Sequence, residues 1–296
     1  MEKNKKRQHY VWKNYLKPWA LNNKIWCKRK GKIFNTSSDN IGSECYFYLT
    51  KPLNYTEQDF LVNLIKNQFP QENHYLIFQE LVLYCCFSDS SDDFTSKNAL
   101  ENYYSDLEGK AVPVFNFLYK KDCSFLSDHD IKVFFLHFIA LQYNRTKCMQ
   151  ERQKKAIQNI IEQTPQELVG KIDLENIFKA LSFAHFNNAI ANWLYSKAKM
   201  YFLETNNEFI ASDQPIINIH SGGIGDYDQV KEIELYYPVT PHLALFFTEK
   251  KFNNQKLDEI KTLQYNKSLF EKSYEQVYAF SERTLEPFLK SNGLFL

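Results

Sequence analysis

Apolar residues recur at helical spacing through the middle of the chain and give way after residue 199 to short apolar and aromatic runs. Phe60, Leu61, Leu64 and Ile65 lie on one helical face behind Thr56-Glu57-Gln58-Asp59, which reads as a capping box. Gln71 to Phe87 predicts a second helix, and the Ser- and Asp-rich stretch from Ser88 to Thr95 a loop. A third helix is expected over residues 96–121, kinked or divided at Pro113. Ser127 is the expected N-cap of a fourth. Nearly every position from Ile131 to Leu141 is apolar, as in a helix buried on all sides, and the pattern lets it run on through Lys155 to Glu162. Leu174 to Lys199 predicts one more long helix.

Strands are predicted at Tyr46–Leu49, where Pro52 follows, and at Met200–Leu203, Glu208–Ala211, Ile216–Ile219, Glu234–Pro238 and Leu243–Thr248. Ser221 to Asp226 reads as a loop. Two further helices are expected near Leu257–Leu263 and Glu282–Leu289. Helices grouped in the middle and strands grouped late predict an α+β fold, with central buried helices on a mostly antiparallel sheet drawn largely from the C-terminal third. No repeat or low-complexity linker divides the sequence, so residues 1–296 read as one domain. Its parts are a basic and aromatic segment (1–50), a helical part (56–199), a strand-rich part (200–250) and C-terminal helices (255–296).

Composition adds three constraints. With 25 Phe and 19 Tyr, the chain can bury much apolar area per residue, so a dense core is expected. No apolar run approaches the roughly 18 residues needed to cross a bilayer, and the charged N-terminus is not followed by the apolar stretch of a signal peptide. The cysteines Cys27, Cys45, Cys85, Cys86, Cys123 and Cys148 form no CxxC pair or metal-ligand spacing, which fits reduced thiols. A soluble, cytoplasmic protein with no membrane partner is the expectation. Charge is uneven: residues 1–34 hold eleven Lys and Arg against Glu2 alone, in a chain of net charge +1. That asymmetry points to an anionic partner, or to a solvated basic segment offset by an acidic remainder.

Four stretches, in order, carry a resemblance. They are His9-Tyr-Val-Trp-Lys-Asn-Tyr-Leu-Lys-Pro-Trp19, Phe138-Ile-Ala-Leu-Gln-Tyr-Asn-Arg-Thr146, Phe209-Ile-Ala-Ser-Asp-Gln-Pro215 and Pro238-Val-Thr-Pro-His-Leu-Ala-Leu245. Together they resemble domain-of-unknown-function family 4238, found largely in bacteria, whose members carry HYVPxxYLxxF-, FxALQxxR-, FxTSDxPV- and PLSPxxAL-like segments. Trp12 stands where the family usually has Pro, Trp19 where it has Phe, and Gln214 where it has Asn. The resemblance implies a fold and a set of positions, and no reaction.

Gln142 and Arg145 share a helical face, and Arg152 lies seven residues on, close to the same stripe. A buried Arg needs a carboxylate or a ligand anion. Glu108 and Asp213 are the expected acids. The pair either locks helix to sheet or clamps a phosphate. His9 is a candidate general base, or a core histidine bonded to a carbonyl. A catalytic set of His9, Glu108, Gln142, Arg145 and Asp213 is therefore expected, with Tyr10, Lys13, Tyr15 and Arg152 holding substrate. No metal site is expected, and the cofactor is left open. Basic residues interleaved with Tyr10, Trp12, Tyr15, Trp19 and Trp26 suit a nucleotide or nucleic acid, since rings stack bases and cations hold phosphates. The expected function is a nuclease-like hydrolase, in the setting of a bacterial toxin or anti-phage effector. A non-catalytic module binding nucleic acid or protein is the alternative. His185, Asn188 and Asn192, the Gly222–Gly225 run and the acidic loop of Asp89, Asp92 and Asp93 are read as structural or solvated.

Overall fold

The computed structural model describes residues 6–88, 93–161, 167, 170–222, 230–253 and 255–289. β1 (Arg7–His9), α1 (Lys13–Leu16), β2 (Lys24–Arg29), β3 (Lys32–Ser37) and β4 (Ser43–Cys45) lead into a helical run. It comprises α2 (Tyr55–Gln68), α3 (Gln71–Ser88), α4 (Asp93–Tyr119), α5 (His129–Asn144), α6 (Lys147–Ile161), α7 (Leu174–Leu181) and α8 (Asn187–Ser196). Then come β5 (Lys199–Thr205), β6 (Ala211–Ser212), β7 (Ile217–Asn218), β8 (Leu235–Thr240), β9 (Leu243–Thr248), β10 (Lys256–Leu257), α9 (Glu259–Lys272) and β11 (Gln276–Ala279).

The fold is α+β. A five-stranded sheet runs β10-β5-β9-β8-β7 and a four-stranded one β3-β2-β11-β6, while β1 pairs with β4. Only β10 with β5 is parallel among these pairs. Both faces of β8 and β9 are covered. Leu235, Tyr237, Val239, Leu245 and Phe247 join the main core with α5 and its neighbours. The alternate residues Tyr236, Ala244 and Phe246 join a second core with Leu269, Phe270 and Val277. Period-two alternation places successive side chains on opposite faces, and here both faces are apolar.

The N-terminal segment differs most from expectation. Lys24–Arg29 and Lys32–Ser37 form a hairpin that joins β11 at the sheet edge, so the second sheet is not wholly C-terminal. Its turn residues Lys30 and Gly31 both have positive φ (48° and 71°), the geometry that suits a two-residue hairpin turn. The expected strand at Tyr46–Leu49 is a turn, with Tyr46 at φ 51° and the Leu49 N–H bonded to the Tyr46 carbonyl. The capping box is two residues earlier than expected: Asn54 caps α2 and Glu57 bonds back to the Asn54 N–H. Asp128, not Ser127, caps α5. Pro113 lies inside α4 without dividing it. The long helix expected beyond Leu141 breaks at Arg145, and the one expected over 174–199 is interrupted by a π-helical turn, Ser182–Phe186. Near 282–289 only a short 3-10 turn forms, at Glu286–Phe288. Of the acidic loop, Asp89 and Asp92 lie outside the described residues, as do Gly223 and Gly225. Among the described residues, no helix is long and apolar enough to cross a membrane.

Candidate functional site: a buried arginine at a helix break

The break between α5 and α6 is built by the sequence around it. Arg145 follows the last turn of α5 with φ −77° and ψ 1°, and its N–H bonds the Leu141 carbonyl. That bridge conformation is sparsely populated and common at functional positions. Thr146 then opens α6, its Oγ1 accepting the Met149 N–H at 3.3 Å. Gln214 staples the break to the loop after β6. Its Oε1 accepts from the Thr146 hydroxyl, and its Nε2 donates to the Tyr143 carbonyl (3.0 Å) and the Ile216 carbonyl (2.6 Å). The other signature stretches pack around it. Trp12 meets Phe115 and Phe138 edge-on, Tyr15 stacks on Tyr237, and the Trp19 indole N–H points at the Phe209 carbonyl.

The Arg145 side chain is only 2% exposed. Nη2 donates to Glu108 Oε1 at 2.5 Å and to Gln142 Oε1 at 3.2 Å, and the guanidinium lies 5.7 Å from the Tyr104 ring centre. Burial works against its charge, but Tyr48 and Glu108 outweigh burial and raise its pKa further above the ordinary arginine value. Arg145 Nε and Nη1 have no hydrogen-bond partner, and neither do Gln142 Nε2 and Asn144 Nδ2. Buried donors of this kind are usually satisfied, so four at one break are unusual.

Arg145 lines a cleft with about 30 Å³ of internal space, which opens to a depression of about 420 Å³ counted out to solvent. The internal space suits a few waters or a small oxyanion group. Phe47, Tyr48, Tyr104, Phe178 and Phe183 wall it, and Lys179 stands at its side, bonded to the Leu49 carbonyl at 2.9 Å and to Glu175 at 3.1 Å. The π turn sets Ser182, Phe183 and Asn187 into the wall, and Asn187 Oδ1 has no partner. Such turns are frequent at functional sites.

Of the expected catalytic set, Glu108, Gln142 and Arg145 come together. Asp213 does not join them. It is buried in the four-stranded sheet's edge and accepts the N–H groups of Tyr274 (2.8 Å), Glu275 (2.6 Å) and Gln276 (2.9 Å). Burial pushes its carboxyl up to about 7 against the pull of those three donors. His9 touches the cleft only indirectly: its carbonyl accepts the Tyr48 hydroxyl at 3.2 Å. Its Nε2 is buried without a partner, and burial and then Arg7 lower its pKa.

The expected substrate-binding residues serve otherwise. Tyr10 and Tyr15 are 2% and 1% exposed, and Trp12 and Trp19 are equally buried, so none of these rings is free to stack on a base. Lys13 is paired with Asp39. Arg152 faces a different pocket from Arg145. His185 packs on Phe69 with ring centres 4.1 Å apart, and Asn188 donates to the Ala184 carbonyl. Asn144, Lys179, Ser182 and Asn187 were not singled out by sequence. Asn144 had a signal, as the neighbour of Arg145 in the second signature stretch; Lys179 lies on the regular helix α7, and Ser182 and Asn187 depend on a π turn that helical periodicity hides.

Among the described residues, no group of three or more His, Cys, Asp or Glu is arranged to hold a metal ion. No curated protein and no solved structure matches the chain. Residues 7–283 do match a family, nearly end to end and through all four signature stretches: the chain belongs to the family described as "Protein of unknown function (DUF4238)".

Proposed function

We propose that this chain binds a phosphate-bearing ligand, a nucleotide or a nucleic-acid end, at the Arg145 cleft. The observation that carries the reading is that Nε and Nη1 of a guanidinium 2% exposed have no acceptor. A planar guanidinium presents its donors in a fork matched to phosphate oxygens. Asn144 Nδ2 and the Lys179 ammonium add donors beside it, and the aromatic walls suit a base or another flat group at the mouth. The binding reading is preferred to the hydrolytic one because neither His9 nor Asp213 lines the cleft, and Asp213 accepts three backbone N–H groups elsewhere. One observation keeps hydrolysis as a second reading: Glu108, bonded to Arg145 and still 20% exposed, is the carboxylate able to serve a nuclease-like toxin or anti-phage effector as base.

Isothermal titration with ATP, GTP, a short single-stranded oligonucleotide and inorganic phosphate tests the reading. Saturable binding that weakens as salt rises and is lost in a folded Arg145→Met variant supports it. Binding left intact by that substitution, or no binding by any of the four probes, counts against it. Turnover of a bound probe that stops in Glu108→Gln would favour the second reading.

A further inference from the structure

α3 is apolar on two faces, and the core uses one of them. Ile77, Leu81 and Tyr84 are buried, and Tyr84 and Phe87 pack on Phe183 of the π turn that walls the Arg145 cleft. The opposite face carries Tyr75 (74% exposed), Leu76 (45%), Val82 (66%) and Leu83 (37%). Glu72, Gln79 and Cys86 are exposed on the same face. Glu72, Tyr75, Gln79, Val82 and Cys86 recur at alternating intervals of three and four residues, the spacing of the seam in a packed helix pair. The core leaves this second stripe uncovered, and a contiguous exposed apolar patch of this kind marks an interaction surface.

Charge and symmetry narrow what covers it. α3 holds no Lys or Arg, only Glu72 and Glu80. Helices that lie on membrane surfaces carry cations on their polar side, and this one has none. From Tyr75 to Cys86 the stripe is uncharged, so it offers nothing for a basic or acidic partner to read. It does complement itself. About a twofold axis through Gln79, an antiparallel second copy sets Leu76 against Val82 and Tyr75 against Leu83. Glu72 then meets Cys86 and not another carboxylate. Gln79 Nε2 donates one hydrogen to the Tyr75 hydroxyl at 2.8 Å, which leaves its second hydrogen and its oxygen to pair with Gln79 of the other copy. With Gln79, the four apolar side chains leave roughly 500 Å² open per copy, so a pair buries on the order of 1,000 Å², enough for a specific contact and less than a permanent dimer uses.

We propose that two copies of this chain pair antiparallel through the Tyr75–Cys86 stripe of α3, as a reversible homodimer. The contact is independent of ligand binding at the Arg145 cleft.

Sedimentation velocity of the full chain between roughly 1 and 300 µM tests this, since a contact of this size should hold with a dissociation constant on the order of 10 µM or weaker. The expected result is a dimer fraction that rises across the range, is lost in Val82→Glu, and is kept in Ile260→Glu, which alters an equally exposed apolar side chain on α9. Should Val82→Glu fail to fold, Tyr75→Lys takes its place. Gln79→Cys should form a disulfide between the two introduced thiols on mild oxidation, mapped by mass spectrometry, because they meet on the axis. A monomer at every concentration overturns the proposal, as does a dimer unaffected by the α3 variants. A Cys86–Cys86 disulfide in the unsubstituted chain would show parallel pairing and overturn it too. So would co-flotation of the monomer with phosphatidylcholine–phosphatidylserine vesicles that Val82→Glu abolishes, which would assign the stripe to a membrane.

Discussion

Removing the two partners of the Arg145–Glu108 pair should have unequal effects. The Arg145 side chain is 2% exposed and that of Glu108 is 20% exposed. In Arg145→Met the carboxylate keeps some access to water, and the Met fills much of the same space beside Tyr48 and Tyr104. Lost are one charge-assisted hydrogen bond, worth about 1.5–3 kcal/mol, and the bond to Gln142. Offsetting this, the folded protein no longer buries the Nε and Nη1 donors unsatisfied, at about 1–3 kcal/mol per group. The net change should stay within about 1 kcal/mol. In Glu108→Gln the guanidinium remains buried with its charge uncompensated, which costs about 3–5 kcal/mol. Adding Arg145→Met to Glu108→Gln should therefore restore about 2 kcal/mol or more. Urea denaturation of the three variants, followed by tryptophan fluorescence, measures all of this. Equal losses in the two single variants, or a larger loss in Arg145→Met, would show that the guanidinium serves the core and not a ligand.

Three further outcomes follow from the same geometry. Gln214→Ala removes the staple at the helix break, leaving the Thr146 hydroxyl and two carbonyls without their partner, and should cost about 2–4 kcal/mol in urea melts. Gly42→Ala should cost about 2 kcal/mol or more, since Gly42 sits at φ 59° and an added Cβ would lie 2.7 Å from Val11 Cβ. Asp213 has a folded-state pKa raised to about 7, above its unfolded value of about 3.9. The folded state then binds the proton more tightly, so the contribution to stability is full below about pH 4, falls as pH rises, and is gone above about 7. Asp213→Asn should flatten that slope in denaturation curves across this window; an unchanged slope would assign the titration elsewhere.

What the sequence reveals here is mostly periodicity. The helices over 55–88 and the strands of 199–205 and 235–248 follow from spacing alone, because their apolar positions repeat with period 3.6 or 2. The N-terminal hairpin was hidden by its lysines. Lys28 is 2% exposed and lies over the Phe270 ring at 4.7 Å, so a residue that reads as polar faces inward. In the same way the basic, aromatic opening reads as a surface that grips nucleic acid, whereas Tyr10, Trp12, Tyr15 and Trp19 fill the core. Pairing Arg145 with Glu108 was legible, since a buried helix ending in Arg demands an acid. Asp213 was not separable from it by sequence, because backbone N–H groups, which leave no trace in side-chain patterns, are its partners.

The candidate cleft forms where three departures from regular backbone meet. α5 stops at Asn144, the α7–α8 helix takes a π turn at Ser182–Phe186, and the chain turns at Tyr46 with positive φ before Phe47 and Tyr48. Each departure costs regular hydrogen bonding or conformational freedom, and none fills the cleft. The break at Arg145 is also held from outside by Gln214, so the guanidinium's position does not depend on Glu108 alone. A core salt bridge needs no such arrangement: an uninterrupted α5–α6 helix could carry an Arg to the same carboxylate. The interruption instead exposes Asn144 and Arg145 side by side to one space and leaves their donors free. That is the arrangement expected of a preformed anion site, in which donors are fixed before the ligand arrives and little reorganisation opposes binding.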